Sequence, residues 1–291
     1  MLKREKIVGV FCSRVRMEEK KLFSAFRAQG IPFERVDVRR QIFSLNGKNP
    51  TERFDVVLIR CLSHTRSLYV AKMLEHHGMR VVNGHQCIAI CGDKVLTTMA
   101  LRENKIPTPR TTMTFSLESS LMAMEAMGYP VVIKPAVGSW GRLMAKVNDR
   151  ESAEAVLEHK LALGHDFPYY IQEFVEKPGR DIRALVVGEE TVYAVYRQSQ
   201  HWITNTARGG ETTLCPITPE IDRISLAAAR AVKGEIVAVD LLETAAGELL
   251  VNEVNHTPEF HGASKVAEGD IASTIIKYIK EVREIDRGRT L

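Results

Sequence analysis

The stretch LLVNEVNHTPEFHG, residues 249–262, places acid and amide side chains where an apolar strand ends. Glu253 and Asn255 lie two residues apart, so on a strand they project from the same face of a sheet. The preceding segment EIVAVDLLET, residues 235–244, carries Asp240, and the turn AAG joins the two segments. Neighbouring strands run about 4.8 Å apart, which allows Asp240 to face Glu253 across the pair. Three oxygen ligands on one face predict a Mg²⁺ site, and an acid pair on a surface hairpin is the alternative.

The composition is that of an ordinary globular protein. The 291 residues are 45% hydrophobic and 26% charged, with a formal net charge of +4. This small charge does not indicate a nucleic-acid partner, and no apolar stretch reaches the roughly 20 residues that span a bilayer. Five scattered cysteines predict reduced, mostly buried thiols in a cytoplasmic protein.

The first ninety residues alternate strands with helices, which predicts a parallel sheet covered on both faces. No G-x-G-x-x-G motif follows the first strand, so this sheet lacks the phosphate loop of a dinucleotide-binding domain. The predicted strands are KIVGVFC (6–12), PFERVDV (32–38), FDVVLIRC (54–61) and MRVVNG (79–84), and the predicted helices cover 17–29 and 64–77.

Pro107 and Pro109 end the helix of the segment CGDKVLTTMALRENKIPTPRT (91–111) and mark the first domain boundary. Further along, DIRALVVG and TVYAVYRQ predict a hairpin around Gly188, and a polar loop covers 198–219. The other predicted elements are helices at 117–127, 150–161 and 220–232, and strands YPVVIKP (129–135), RLMAKV (142–147), YYIQEFV (169–175), EIVAVDLLET (235–244) and GELLVNEVN (247–255).

Lys134 lies on the apolar strand VVIKP and precedes the glycine-containing loop AVGSWGR (136–142). A lysine on a buried strand requires an anionic partner, because an unpaired charge there is costly or loses its proton. Backbone N–H groups of the loop can approach phosphate oxygens closely. Strand, lysine and loop together predict a phosphate clamp, and a hairpin with a partly buried lysine stem is the alternative. Lys94 by itself is typical of a surface lysine, unless the fold brings it to the same anion.

Two further segments carry candidate binding groups. QEFVEKPGRDIRALVVG (172–188) can cross between domains while presenting backbone donors and acceptors to a heterocycle, although a plain connector is equally compatible with it. RQSQHWITNTARGGETT (197–213) contains Arg197, Asn205 and Arg208 near two glycines. Arginines in this setting suit bidentate binding of carboxylate or phosphate, and a mobile surface loop is the alternative.

Taken in order, these segments resemble the ATP-grasp superfamily, and the matching stretches span nearly the whole chain. Within it the chain is similar to the RimK-like branch. NTARGG and NEVNHTPEFHG most resemble the amino-group-carrier protein ligases of lysine and arginine biosynthesis. The resemblance implies an α/β (α+β) fold with an N-terminal pre-ATP-grasp domain (1–92), a central lid domain (93–175) and a C-terminal domain (176–291). The matching stretches are GDK (92–94), VVIKPAVGSWGR (131–142), IQEFVEKPGRDIRALVVG (171–188), TNTARGG (204–210), VAVDLLE (237–243) and VNEVNHTPEF (251–260).

The resemblance also implies that ATP lies between the last two domains with two Mg²⁺ ions. Asp240, Glu253 and Asn255 match the metal ligands, with Glu253 bridging the ions. The implied ATP contacts are Lys94 and Lys134 on the phosphates, Gly138, Ser139, Trp140, Gly141 and Arg142 in the covering loop, Glu173, Phe174 and Val175 at the adenine, and Asp181 at the ribose.

Catalysis and acceptor binding are assigned in the same way. Arg197 and Arg208 are implied to neutralise an acyl phosphate or tetrahedral intermediate, and Asn205 to place the substrate. Because they follow the metal strand, six residues are expected near the acceptor amino acid, with the two histidines more typical of hydrogen-bonded wall residues than of ligands. These six are His256, Thr257, Glu259, Phe260, His261 and Gly262.

The implied reaction is ATP-dependent ligation of a carboxylate to an amine through an acyl phosphate, with release of ADP and phosphate. In the carrier-ligase family, the carboxylate is the C-terminal glutamate of a small acidic carrier protein. The amine belongs to α-aminoadipate in lysine biosynthesis or to glutamate in arginine biosynthesis. These amino acids differ by one methylene, worth about 1–3 kcal/mol of discrimination, so both substrates stay open. Relatives in the family are commonly homodimers or homotetramers.

Two other functions compete with this interpretation. A RimK-like glutamate ligase acting on a ribosomal protein or a cofactor tail would use the same Mg–ATP site. A non-catalytic ATP sensor would not require a two-metal phosphate clamp. The complete set of lysines and metal ligands therefore argues against the sensor.

Overall fold

Three sheets organise the chain in the computed structural model, which describes residues 6–47, 53–138, 143–162, 168–204, 211–267 and 269–289, with side chains up to residue 286. The first sheet is parallel, and the other two are antiparallel. The described parts of the segments that carry candidate site residues meet at a cavity between the central and C-terminal sheets.

The N-terminal sheet has the order β2-β1-β3-β4 and is parallel throughout, as predicted. Its strands are apolar on both faces because helices cover both sides of a parallel sheet. Val8 and Val10 lie in one core and Val57 in another on the opposite face. The elements are β1 (Ile7–Cys12), α1 (Met17–Ala28), β2 (Phe33–Asp37), β3 (Phe54–Ile59), α2 (His64–His76) and β4 (Arg80–Val82).

Two helices, α3 (His85–Cys91) and α4 (Lys94–Glu103), connect this sheet to the rest of the chain. Asp93 caps α4 by accepting hydrogen bonds from the backbone N–H groups of Val95 and Leu96. This cap fixes Lys94 as the first residue of the helix. Leu101 of α4 and Ile106 lie in the same core as the C-terminal sheet. The helix that carries Lys94 therefore packs on the C-terminal part of the molecule.

The central sheet has the order β5-β8-β6-β7, and two helices pack on it. Met124 and Leu157 of these helices are fully buried against Ile133 and Ile171 of the strands. The elements are β5 (Thr111–Thr114), α5 (Leu117–Met127), β6 (Val131–Pro135), β7 (Ala145–Val147), α6 (Arg150–Ala162) and β8 (Tyr169–Glu173).

The C-terminal sheet has the order β11-β10-β9-β12-β13, and α7 packs on it. The hairpin predicted around Gly188 is the β9–β10 pair, and the strands joined by the turn AAG pair antiparallel as expected. The elements are β9 (Arg180–Val187), β10 (Glu190–Gln198), β11 (Glu211–Cys215), α7 (Pro219–Ala231), β12 (Ile236–Glu243), β13 (Leu249–Asn255) and α8 (Ile271–Arg289).

Helix α8 joins the N-terminal and C-terminal sheets into one packed unit. Ile275 and Ile276 of this helix are almost completely buried, and they share a core with Leu22 and Phe26 of α1 and Leu185 of β9. The N-terminal and C-terminal sheets thus share one apolar core, and this core fixes their relative position.

Three elements differ from the sequence expectations. The prediction of a polar loop over 198–219 is wrong for Glu211–Cys215, because these residues form strand β11. This strand lies at a sheet edge with exposed polar residues, so it lacks the apolar alternation of a half-buried strand. Helices α3 and α8 were not predicted, although Ile271, Ile275 and Ile279 follow a helical spacing. No helix among the described residues combines the length and apolar character needed to cross a bilayer.

Candidate active site

A cavity of about 290 Å³ lies between the central and C-terminal sheets and reaches the N-terminal part of α2. Its wall contains residues from each segment that the sequence analysis singled out. Of the predicted site residues, the lining includes Lys94, Lys134, Gly138, Glu173, Phe174, Val175, Asp181, Arg197, Asp240, Glu253, Asn255, His256, Thr257 and Glu259.

The paired carboxylates lie on neighbouring strands at the cavity wall. Asp240 of β12 pairs directly with Glu253 of β13, and Asn255 lies two residues further on the same face. Asp240 is buried, whereas Glu253 and Asn255 are partly exposed. The carboxylates therefore face each other across the strand pair, as the length of the turn predicts.

Asp240 is held by two arginines. Arg183 binds it in a bidentate pair, with Nε–Oδ1 and Nη2–Oδ2 distances of 2.7 and 2.8 Å. Arg197 approaches the same carboxylate at 3.2 Å. Burial opposes ionisation of Asp240, but the two guanidinium groups outweigh it and hold its pKa below the usual range. The carboxylate is thus ionised and held in one orientation by the two guanidinium groups.

The donor set at this wall suits Mg²⁺. It offers two carboxylates and one amide, and magnesium usually completes its shell with phosphate oxygens and water. No cluster of three His, Cys, Asp or Glu ligands occurs in the part of the chain that the structure describes. The buried Nδ2 of Asn255 has no hydrogen-bond partner among the described residues, so the cavity has unused polar capacity at this point.

Lys134 ends the row of apolar side chains on β6 and points into the cavity. Its side chain is 6% exposed, and its ammonium group donates to Gln172 Oε1 at 2.5 Å and to Asn252 Oδ1 at 3.0 Å. Burial lowers the pKa of Lys134 to about 8, and Glu253 partly opposes this effect. The direct hydrogen-bond partners of this buried cation are neutral amides, so an anion in the cavity would add to the counter-charge that Glu253 provides.

Lys94 reaches the same region from α4. Its ammonium group donates to the carbonyl of Gly138 at 2.7 Å, and its backbone N–H donates to Ala136 at 2.9 Å. The glycine-containing loop after β6 is therefore attached to the N-terminus of α4. Through this contact Lys94 and Lys134 line the same cavity. The sequence positions of the two lysines do not by themselves indicate this proximity.

The opposite end of the cavity is more apolar. Phe174 follows β8, its ring lies 6.4 Å from the ring of Trp202, and the ammonium group of Lys146 lies 3.6 Å from its centroid. The carboxylate of Glu173 binds Arg110, at 2.6 Å from Nε, so this side chain is held away from a ligand. Aromatic and aliphatic walls with nearby backbone groups suit a flat heterocycle.

Asp181, which the resemblance matches to a ribose contact, lines the cavity and is bound by neighbouring side chains. Its carboxylate accepts from Arg197 Nε at 2.6 Å and from the hydroxyl of Thr204, and the ammonium group of Lys177 lies 3.8 Å away. It is buried at the start of β9. In this structure Asp181 orients Arg197, so its carboxylate is already engaged by protein donors.

The segment after β13 divides between cavity and core. His256, Thr257 and Glu259 line the cavity, whereas Phe260 is 1% exposed and belongs to the core shared with α1 and α8. His261 and Gly262 continue the chain away from the lining. Burial lowers the pKa of His256 to about 4, with smaller contributions from His64 and Arg60, so its ring is neutral near pH 7. The structure therefore places Phe260 in the core and not in the cavity lining, unlike its neighbours Thr257 and Glu259.

Six predicted site residues lie outside the described residues. These are Ser139, Trp140, Gly141 and Arg142 of the covering loop and Asn205 and Arg208 of the segment after Thr204.

Sequence reasoning missed several residues of the cavity wall. Arg183 lies two residues after Asp181 on β9, so the alternation of the strand could have placed it on the same face. Lys177 follows the Phe174 segment, but a lysine before a Pro-Gly turn is also typical of a solvated loop. Gln172 and Asn252 are found only from the packing of β6, β8 and β13, since they bind Lys134 across different strands.

Gly92 provides a direct test of how tightly this wall is packed. A Cβ atom at this position would lie 1.8 Å from the ring of His64, which also lines the cavity. We expect Gly92→Ala to lower the free energy of unfolding by about 1–3 kcal/mol, because the ring must move in a packed wall. In a urea titration, His64→Ala should recover most of that loss in the Gly92→Ala background. Additive effects of the two substitutions would contradict the predicted contact.

Comparison with known proteins agrees with this architecture. Residues 91–279 match the RimK-like ATP-grasp domain, and residues 8–90 match the LysX pre-ATP-grasp domain. A glutamate–LysW ligase, ArgX, from Sulfurisphaera tokodaii is 33% identical over 271 residues, covering 92% of this chain and 95% of that protein. An alpha-aminoadipate–LysW ligase, LysX, from Saccharolobus solfataricus is 32% identical over 269 residues, covering 91% and 98%.

A solved structure has the same overall fold. The crystal structure of an ATP-grasp RimK domain protein from Sphaerobacter thermophilus superposes with a TM-score of 0.79 at 24% identity, covering 94% of this chain and 98% of that one. The fold, the order of the three sheets and the extent of the sequence matches lead to one conclusion. The chain belongs to the RimK-like ATP-grasp family and carries a pre-ATP-grasp domain of the LysX type.

Proposed function

We propose that this protein is an ATP-dependent ligase that joins the C-terminal glutamate of a small acidic carrier protein to the α-amino group of α-aminoadipate or glutamate. The observation that supports it best is the meeting of Lys94, Lys134, Asp240 and Glu253 at one cavity in a chain similar over most of its length to LysW ligases. ATP is the nucleotide used by ligases of this family, and we propose two Mg²⁺ ions as its counter-charges.

Each part of the cavity has a role in this proposal. Lys94 and Lys134 bind the phosphate oxygens, and the wall of Phe174 and Val175 takes the adenine. Asp240, Glu253 and Asn255 would hold magnesium ions, and bound Mg²⁺ would supply positive charge next to the phosphates. The protein supplies little covalent chemistry, because phosphoryl transfer depends mainly on positioning and charge neutralisation.

We propose that Arg197 acts on the reacting carboxylate. Its guanidinium group lies between Asp181 and Asp240, so it is fixed beside the proposed metal site. A fixed cation there can stabilise the acyl phosphate that forms when the carboxylate attacks the γ-phosphoryl group of ATP. The amine then attacks the activated carbonyl and releases phosphate.

The experiment is a ligation assay with purified enzyme, Mg-ATP and a carrier of the LysW type, with each amino acid supplied separately. We expect ADP release that requires both carrier and amino acid, and a carrier C-terminal peptide heavier by one amino-acid residue in mass spectrometry. A carrier shortened by its terminal glutamate is the matched control and should give no product. ADP release that is independent of every carboxylate and amine tested would contradict the ligase function.

The same assay separates the second candidate, a glutamate ligase acting on a ribosomal protein or a cofactor tail. Glutamate transfer to such an acceptor, with no product on the carrier, would favour it. α-Aminoadipate and glutamate differ by one methylene, so kcat/KM for the two amino acids must be compared under the same conditions.

A further inference from the structure

Residues 256–261, here named the acceptor segment, have two distinct faces. His256, Thr257 and Glu259 line the cavity, whereas Pro258 and Phe260 are buried on the side of the N-terminal sheet. The contacts that hold the buried face of the acceptor segment therefore determine the shape of the cavity wall on its other face.

The N-terminal domain holds this segment at four points along its length, by two backbone carbonyls, one carboxylate and one backbone N–H. The four contacts are Asn83 Nδ2 to His256 O at 2.7 Å, Arg60 Nη2 to Pro258 O at 3.0 Å, Arg16 Nη1 to Glu259 Oε1 at 2.7 Å, and His261 N to Glu18 Oε1 at 3.1 Å.

Three of these contacts come from one edge of the N-terminal sheet, and the fourth comes from Glu18 in the first turn of α1. Arg60 directly follows β3, Asn83 directly follows β4, and Arg16 lies in the connection after β1. In open parallel sheets this carboxyl edge is where ligands usually bind. Here the acceptor segment occupies the edge, so the N-terminal sheet contributes by holding a part of the C-terminal domain.

Arg60 is the central contact of the four. It is 3% exposed, it donates through Nε to Glu19 at 3.0 Å, and its guanidinium carbon lies 6.0 Å from the ring centroid of Phe260. Glu19 is fully buried and is also bound by Nε and Nη2 of Arg16. A buried guanidinium group that is bound by a carboxylate in this way has little conformational freedom. The carbonyl of Pro258, which it binds, is therefore also held in place.

We propose that Arg60, oriented by Glu19, is a positioning residue that fixes the acceptor segment and thereby the pocket of the amino acid that attacks the activated carboxylate. This inference rests on the proposed ligase function. It assigns to the N-terminal domain a role in acceptor binding that is separate from nucleotide binding.

The test is Arg60→Met, compared with Arg60→Lys and with Arg80→Met as matched control. Glu19 keeps Arg16 in the first variant, so no carboxylate is left without a cation. Arg80 forms another arginine–glutamate pair between the N-terminal and C-terminal domains, and its hydrogen bonds run to Glu235 and Val81. Neither of these bonds runs to the acceptor segment, so Arg80→Met reports the effect of losing a pair of this kind that does not itself contact the segment.

We expect Arg60→Met to raise KM for the amino acid by about tenfold or more, because small displacements of positioning groups have large effects. KM for ATP should stay within about twofold of the wild-type value, and Arg60→Lys should recover part of the loss. Amide hydrogen exchange of the peptide containing residues 256–261 should be about tenfold faster in Arg60→Met, as expected for loss of one hydrogen bond, and unchanged in Arg80→Met.

Two results would overturn the inference. One is unchanged exchange in the acceptor segment of Arg60→Met, and the other is an equal rise of KM for ATP and for the amino acid. If the wild-type protein ligates no amino acid to any carrier, the proposed function fails. Hydrogen exchange still decides in that case whether Arg60 fixes the segment.

Discussion

Glu253→Ala is expected to reduce ligation by about a thousandfold while the fold stays intact. Removal of a single preorganised electrostatic group typically costs a factor of this order. Glu253 faces Asp240 across the strand pair, lines the cavity and is partly exposed, and no hydrogen bond joins its side chain to another described residue, so we expect the fold to tolerate its loss. The measurement is kcat for ADP release with saturating carrier and amino acid, together with the thermal unfolding midpoint.

Glu248→Ala is the matched control for this experiment, because Glu248 lies exposed in the turn of the same hairpin. It should retain wild-type turnover. A titration of Mg²⁺ binding by calorimetry in the presence of a non-hydrolysable ATP analogue gives a second readout, and Glu253→Ala should weaken the metal-dependent part. Turnover close to wild type in Glu253→Ala would show that the metal site is elsewhere.

Lys134→Met is the second substitution with a large expected effect. We expect kcat/KM for ATP to fall by about 100- to 1,000-fold, since the variant removes a buried cation aimed at the phosphates. The apolar chain of methionine fits the stem of the lysine, so the unfolding midpoint should change little. Lys160→Met is the control, because Lys160 belongs to the same domain and its ammonium group binds the carbonyl of Leu143. Unchanged kcat/KM in Lys134→Met would remove this residue from the phosphate site.

The pH dependence tests the same assignment without a substitution. Burial lowers the pKa of Lys134 to about 8, so the cation is present below pH 8 in the free enzyme and is lost as the pH rises through that value. The parameter kcat/KM reports groups of the free enzyme, and for ATP it should be level below pH 7 and fall above pH 8. The residual activity of Lys134→Met should lack this fall. A wild-type profile that stays level to pH 9.5 would contradict the assignment.

The strand pattern of the first ninety residues was enough to predict a parallel sheet, because a sheet covered on both faces needs uninterrupted apolar strands. The strand pairs around Gly188 and the turn AAG were also predictable, since sequence separation and turn residues limit how such strands can pair. In contrast, β11 was missed because it is an edge strand with exposed polar residues. Its strand conformation is stabilised by backbone pairing with β10, which its own sequence pattern does not indicate.

The order of its motifs was enough for the sequence by itself to indicate the fold family, through resemblance. It also placed Asp240 opposite Glu253, because strand alternation and a short turn determine which residues share a face. The tertiary structure decided how these groups are held. Lys94 meets Lys134 only through the packing of α4, and Asp240 is bound by Arg183 and Arg197 from two other strands. It also showed that the stretch after β13 divides between cavity and core, because contacts with residues over 170 positions away hold its buried face. Such contacts leave no periodic signal, since they depend on how separate sheets pack against each other.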